Sequence, residues 1–342
     1  MTRPFFSSVT RISDVETRGF DVSPLPRTDW ASGDYVLCEV FGRPGPLYQV
    51  EQSSGRMCQV FDGDLIVGAF GSRAATLEGV GDWRNIGEDG RLHALTSAGL
   101  FGKATSVSPL LPPLMNLQYR GHLMRDTKLT MSAFCSPREK RPLEIPAVLV
   151  IGTSMSSGKT TSGRVIVREL TQLGFTVVAA KLTGAARFRD MLSLRDAGAK
   201  NVFDFVDVGL PSTVCPAAEF TESLLQLLSL VASVEADVLV AEAGASPLEP
   251  YNGSIAIEMI DKNIRMLVLC ASDPYAVMGV QHAFGRQPDL VCGPASNTDA
   301  AVELVDKLCG VPALNLLRRR SRPKLRVMLQ DRLKPVDPRK AA

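Results

Sequence analysis

An apolar run, Val148-Leu149-Val150-Ile151, enters a loop of small residues, Gly152-Thr153-Ser154-Met155-Ser156-Ser157-Gly158, which ends in Lys159-Thr160-Thr161 and opens a helical pattern. Few folds accommodate such a passage. A buried strand must stop at glycine, turn without large side chains and start a helix whose first N–H groups have no partner in the helix itself. Those amides and the loop amides face one concavity with partial positive charge, which suits a chain of phosphates. Lys159 is placed to reach the outer phosphates, and the Thr160 hydroxyl to hold a magnesium ion. The spacing differs from the usual pattern, because five residues rather than four separate Gly152 from Gly158. The context compensates: residues 146–151 read as a buried strand, and residues 159–173 as a helix closed by Gly174. The competing reading is an ordinary Ser/Gly turn in front of a helix.

After Pro146 strand-like runs (residues 175–180, 237–241, 266–271, 289–292 and 313–316) alternate with helical stretches such as residues 217–234 and 298–308. Alternation of this kind predicts an α/β fold, a P-loop doubly wound, mostly parallel sheet covered on both faces. Its ligands would sit at the carboxyl ends of the strands. Residues 31–140 have a different texture. Short runs such as Tyr35-Val36-Leu37-Cys38-Glu39-Val40, divided by Gly, Asp and Pro, predict a smaller β-rich barrel or sandwich domain. The expected organisation is an N-terminal arm over 1–30, the β-rich domain over 31–140 and a linker at 136–142. A phosphate-loop domain over 146–317 and a basic tail over 318–342 complete it. With 342 residues, 45% of them hydrophobic, the chain is long enough for two cores.

The 38 Lys and Arg against 36 Asp and Glu give no general affinity for nucleic acid. The tail is uneven, carrying Arg318, Arg319, Arg320, Arg322, Lys324, Arg326, Arg332, Lys334, Arg339 and Lys340 against Asp331 and Asp337. A solvated, poorly ordered terminus is the expectation there, with an acidic partner, anionic lipid or RNA as the alternative. Seven scattered cysteines without paired spacing suit reduced thiols, and no secretory pattern or bilayer-length apolar run is seen. A cytoplasmic protein is expected.

Three further segments should meet the phosphate loop at the strand edge. Lys181, in Ala180-Lys181-Leu182-Thr183-Gly184, would bring a second cation to balance transferring phosphate or hold an acidic substrate. A surface lysine is the plain alternative. Glu242, at the end of Asp237-Val238-Leu239-Val240-Ala241-Glu242, would orient the metal with Thr160. Arg187 is the best candidate among the charged residues of 187–207 for reading a polar substrate, with Thr183 and Gly184 beside it. The catalytic set is then Lys159, Lys181 and Glu242. ATP with Mg2+ is favoured over GTP because no Asn-Lys-x-Asp run follows a late strand.

On these residues the chain resembles the dethiobiotin-synthetase-like branch of P-loop enzymes. That branch has the five-residue gap of Gly152 to Gly158, a lysine after the second strand as at Lys181, and an acidic strand end like Glu242-Ala243-Gly244-Ala245. Ser154 stands where the branch carries aspartate, and Leu182 where it carries proline. The resemblance implies a doubly wound sheet, ATP with magnesium, and a homodimer with substrate near the subunit interface. Related P-loop proteins, some linked to N-acetyl transfer to amino acids, are similar through Thr183-Gly184 and Asp204-Phe205-Val206. The leading expectation is a Mg-dependent kinase or ligase acting on a small polar metabolite. An acyltransferase using acyl-coenzyme A and a nucleotide-gated switch or metal-delivery GTPase are the alternatives.

Overall fold

The computed structural model describes residues 3–136, 138–244 and 246–333. Pro137 of the expected linker, Ala245 of the acidic strand end, and Lys334, Asp337, Arg339 and Lys340 of the tail lie outside the described residues.

The second half of the chain forms a P-loop α/β sheet of six strands, all paired in parallel. Across the sheet they run Asn201–Asp204, Val177–Thr183, Val238–Ala243, Ala147–Gly152, Ile264–Cys270 and Leu290–Cys292. Ala147–Gly152 shows why its sequence is continuously apolar. Ala147, Leu149 and Ile151 enter one buried cluster, while Val148 and Val150 enter another on the opposite face. Helices Lys159–Gln172, Phe188–Asp196 and Arg322–Leu333 contribute to the second cluster, and helices Ala217–Ala232, Gly253–Met259, Pro274–Phe284 and Asp299–Cys309 to the first. Helix Lys159–Gln172 ends as its sequence predicts. Gly174 takes φ 91°, and the amides of Gly174 and Phe175 return to the carbonyls of Thr171 and Leu170 at 3.0 and 3.1 Å. Residues 313–316 add only a parallel bridge from Ala313 to Val291 rather than a strand.

The tail reading changes up to residue 333. Leu325, Leu329 and Leu333, four apart, bury one stripe of a helix, while Arg326 and Arg322 meet the fully buried Glu169 at 2.5 and 3.6 Å. Burial of that stripe, rather than charge, makes this part of the tail regular.

The N-terminal β-rich half is a barrel. Strand Leu65–Phe70 pairs with Tyr35–Val40, which pairs with Asn116–Met124, then Arg91–Ala94, then Leu100–Val107. Leu100–Val107 returns to Leu65–Phe70 through Leu100 opposite Ala69, closing a five-stranded ring. The first thirty residues are stitched into it: Phe5–Phe6 pairs with Leu65–Phe70, and Asp21–Ser23 with Asn116–Met124. Phe6 and Val9 are buried, which the expectation of an N-terminal arm did not anticipate.

Barrel and parallel sheet share one apolar cluster, containing Val9, Tyr35 and Val67 from the first and Phe205, Val206 and Leu210 from the second. Around it lies Arg11, whose guanidinium reaches Asp204 at 2.6 Å and Asp207 at 2.9 Å and stacks 4.4 Å from the Phe188 ring centroid. Burial and the neighbouring Asp204 push the Asp207 carboxyl up to about 6, with Arg11 pulling the other way. A carboxyl raised on folding favours the protonated native state, so its contribution is fully present below about pH 4 and is lost as the pH rises through about 6. The wild-type chain should therefore lose thermal stability relative to Asp207→Asn between pH 4 and 7. Unfolding temperatures that track each other across this range would exclude Asp207 as the source.

Candidate functional site

Parallel register brings the charged residues of three strands to one rung. Glu242 sits opposite Val150 on one side and Lys181 on the other, and Lys181 opposite Asp204. The rung lies at the carboxyl edge, immediately below the phosphate loop. Lys159, Lys181 and Glu242 are 3%, 6% and 5% exposed, so charge that is routine on a surface is here removed from water.

Thr160 and Glu242 meet directly, the hydroxyl donating to the carboxylate at 3.0 Å. Hydroxyl and carboxylate oxygens are the donor types magnesium selects, so the pair fits that ion. Burial raises the Glu242 carboxyl, with Lys181 pulling it down. Burial alone would lower the Lys181 ammonium, but Asp190 and Glu242 outweigh it and hold it above its ordinary value. Lys181 donates to Asp190 at 2.8 Å.

Lys159 is held differently. Its ammonium donates to the carbonyls of Ser154 and Met155 at 2.6 and 3.2 Å and approaches the Ser157 hydroxyl at 3.5 Å. Burial lowers its pKa, and Glu242 is the main opposing charge. The loop closes tightly over it: a Cβ at Gly152 would lie 2.2 Å from Ser157 Oγ and 2.8 Å from Lys159 Nζ. Gly158 takes φ 93° and has no side chain to cap the helix. The amides of Lys159, Thr160 and Thr161 consequently have no hydrogen-bond partner among the described residues. The Thr153 hydroxyl accepts from Ser272 at 3.1 Å, joining the loop to the end of the neighbouring strand. Ser156 is exposed, and beside it a cavity of about 200 Å3 is lined by Gly158, Thr161, Gly293, Asn297 and Asn315 among others.

The residues expected to read substrate are spread out. Thr183 is fully buried and donates to the Gly244 carbonyl at 3.2 Å, while the Gly184 amide donates to Thr213 Oγ1 at 2.9 Å. Arg187 is 59% exposed at its side chain, with Nε 3.7 Å from Asp190. Asp190 closes the buried pair with Lys181. Sequence reading singled out only Arg187 among the charges of 187–207, although the position of Asp190 three residues after it on an N-terminal turn was a usable signal.

A second omission comes from the N-terminal half. Glu51, fully buried, accepts from the amides of Phe188 and Arg189 at 2.7 and 3.2 Å and from the Ser8 hydroxyl. A carboxylate from the two-stranded sheet of Gln49–Glu51 and Met57–Gln59, in the N-terminal half, thus caps the helix that carries Asp190. The hairpin of strands Ser72–Ala75 and Gly79–Asp82 reaches the phosphate loop itself, where Glu78 accepts from Ser156. Glu249 and Tyr251 fasten that hairpin from the other side, Thr76 donating to Glu249 at 2.6 Å and the Ala74 amide to the Tyr251 hydroxyl at 2.9 Å.

Comparison with known proteins gives limited likeness. No protein-family model matches the chain, and no curated protein does. Among solved structures it is similar to a DUF1611 family protein of Anabaena variabilis, at 16% identity and TM-score 0.39, covering 55% of this chain and 58% of that one. It is also similar to chloroplast FtsY of Physcomitrella patens, at 12% identity and TM-score 0.37, covering 51% and 59%. HypB of Helicobacter pylori, solved with nickel, matches at 18% identity and TM-score 0.36, over 55% and 86%. The chain thus spans less than two thirds of the length of the first two. These likenesses concern part of the fold and carry no argument about activity.

Removing one partner of a buried ion pair leaves the other uncompensated, at about 3 kcal/mol for a pair of this kind. Asp190→Ala should lower unfolding free energy by about that amount, whereas Arg187→Ala, at an exposed site, should change it by less than about 0.5 kcal/mol. Equal losses in denaturant titrations would contradict the assignment of Asp190, rather than Arg187, to the Lys181 charge.

Proposed function

We propose that the chain is a Mg-dependent, ATP-using enzyme that transfers phosphate to, or activates, a small polar metabolite. The observation that carries this reading is the direct contact of Thr160 with Glu242 beside the unpartnered amides at the start of helix Lys159–Gln172. Metal donors and phosphate donors are thereby adjacent. In this reading the loop from Gly152 to Thr161 wraps the phosphates, and Lys159 exchanges the carbonyls of Ser154 and Met155 for phosphate oxygens. A phosphate is the stronger acceptor, because an ionised oxygen makes shorter and stronger hydrogen bonds than a neutral carbonyl. Magnesium held by Thr160 and Glu242 supplies charge neutralisation for the transferring phosphoryl group. The cavity beside Gly158 gives room for the nucleoside, with the Asn297 amide at its wall.

Lys181 stands next to Glu242 on the rung and is the second cation of the site. Its charge, fixed by Asp190, suits an acidic or developing anionic group on the acceptor, with Thr183 and Gly184 forming the floor and Arg187 the outer rim. The dethiobiotin-synthetase-like resemblance supports the same order of parts along the chain, and a homodimer is proposed on that resemblance alone. ATP is preferred to GTP on the sequence argument given above.

Lys159→Ala should lower turnover of labelled ATP by orders of magnitude under single-turnover conditions with magnesium and a metabolite mixture. Turnover equal to wild type would remove the enzyme reading.

A further inference from the structure

Arg73 lies in strand Ser72–Ala75 of the barrel-side hairpin, yet its guanidinium reaches the phosphate loop. Nη2 stands 3.5 Å from the Met155 sulfur, and the Met155 carbonyl is one of the two that hold Lys159. Two cations, one from each half of the chain, therefore flank the same loop residue. The Arg73 side chain is only 11% exposed. Its Nη1 is anchored on the Leu95 carbonyl at 2.9 Å, its Nη2 is paired with Glu78, and its buried Nε has no hydrogen-bond partner among the described residues. A thioether is a weak acceptor, so much of this donor fork is poorly used, and a buried donor left unpaired is costly.

Glu78 explains what occupies the position instead. One carboxylate oxygen accepts from Arg73 and the other from the Ser156 hydroxyl of the loop, so an anionic group already stands at the loop mouth. The pairing is chemically the one a phosphate would make, since guanidinium forks bind carboxylate and phosphate alike. A polyphosphate entering the loop would be repelled by Glu78 and attracted by Arg73.

We infer that Arg73 is a phosphate-binding residue delivered to the loop by the barrel, and that Glu78 is its internal stand-in anion, displaced when the phosphate chain arrives. The inference rests on the phosphate-loop reading above and extends it: the site is built by both halves of the chain, and a carboxylate competes there for the groups that would hold phosphate. An ordinary ion pair fastening the hairpin to the loop would account for the same contacts, but it makes a different prediction. In that case loss of either partner weakens the arrangement in the same direction. For a stand-in anion the two losses act in opposite directions.

The test is calorimetric titration of the full-length chain, in wild-type, R73A, R73K, E78Q and K159A forms, with a nonhydrolysable ATP analogue plus Mg2+ and separately with inorganic pyrophosphate. Loss of a charge-assisted contact to phosphate predicts a dissociation constant raised about tenfold or more in R73A. R73K, which keeps the charge and loses the fork, should fall between R73A and wild type, and it serves in place of R73A should that variant fail to fold. E78Q should bind severalfold tighter than wild type. R73A and E78Q that both bind as wild type does, or both bind more weakly, overturn the inference while K159A still loses binding. Wild type that binds neither probe removes the phosphate-loop reading itself, and the inference with it.

Discussion

Ammonium groups drawn out of water at the end of a parallel sheet have to find negative charge, and that requirement organises this molecule. Lys181 is satisfied by Asp190 and Glu242, which hold it charged despite burial. Asp190 is placed by helix Phe188–Asp196, whose first amides are held by Glu51 from the N-terminal half. Lys159 is the exception. It has neutral carbonyls at hydrogen-bond distance, and burial weakens its hold on the proton. A cation whose hydrogen bonds go to neutral oxygens, with Glu242 acting on it only across space, is the least settled charge in the site, and the one an incoming anion would relieve most.

The parallel half was legible because its signals are local. Ala147–Gly152 alternates between two cores, so its residues had to be apolar without interruption, and the loop after it needed glycine where Lys159 folds back beneath the backbone. Strand ends Glu242 and Lys181 could be placed from the length of the apolar runs preceding them. What was illegible depends on contacts across great sequence distance. Glu51 lies 137 residues from the helix amide it receives, and Glu78 lies 78 residues from Ser156. Nothing in the neighbourhood of either glutamate distinguishes it from a solvated surface charge. Asp190 was passed over for the related reason that helical charges are usually exposed, whereas here Lys181 lies within 2.8 Å of it. Strand Asn201–Asp204 was hidden inside a charged segment because its four residues are too short to show periodicity.

The same distance dependence explains why the barrel is more than an appendage. Its hydrophobic residues continue the cluster that lines one face of the parallel sheet, and Arg11 neutralises carboxylates that belong to the other half. Its hairpin touches the loop, and Glu51, from the same half of the chain, holds the first amides of the helix behind Lys181. A barrel closed through Leu65–Phe70 and Leu100–Val107 is a stiff object, since closure removes the free edges along which strands slide. Stiffness is useful where one body must hold charges accurately against another.

Glu169 carries a consequence for the order in which the molecule is assembled. It is fully buried on the helix that follows the phosphate loop, and its guanidinium partner Arg326 is 157 residues further along the chain. On the ribosome, that stretch is made long after the loop and the helix that follows it. Until then this carboxylate lacks its guanidinium partners, so the helix that follows the loop acquires its final footing late in biosynthesis.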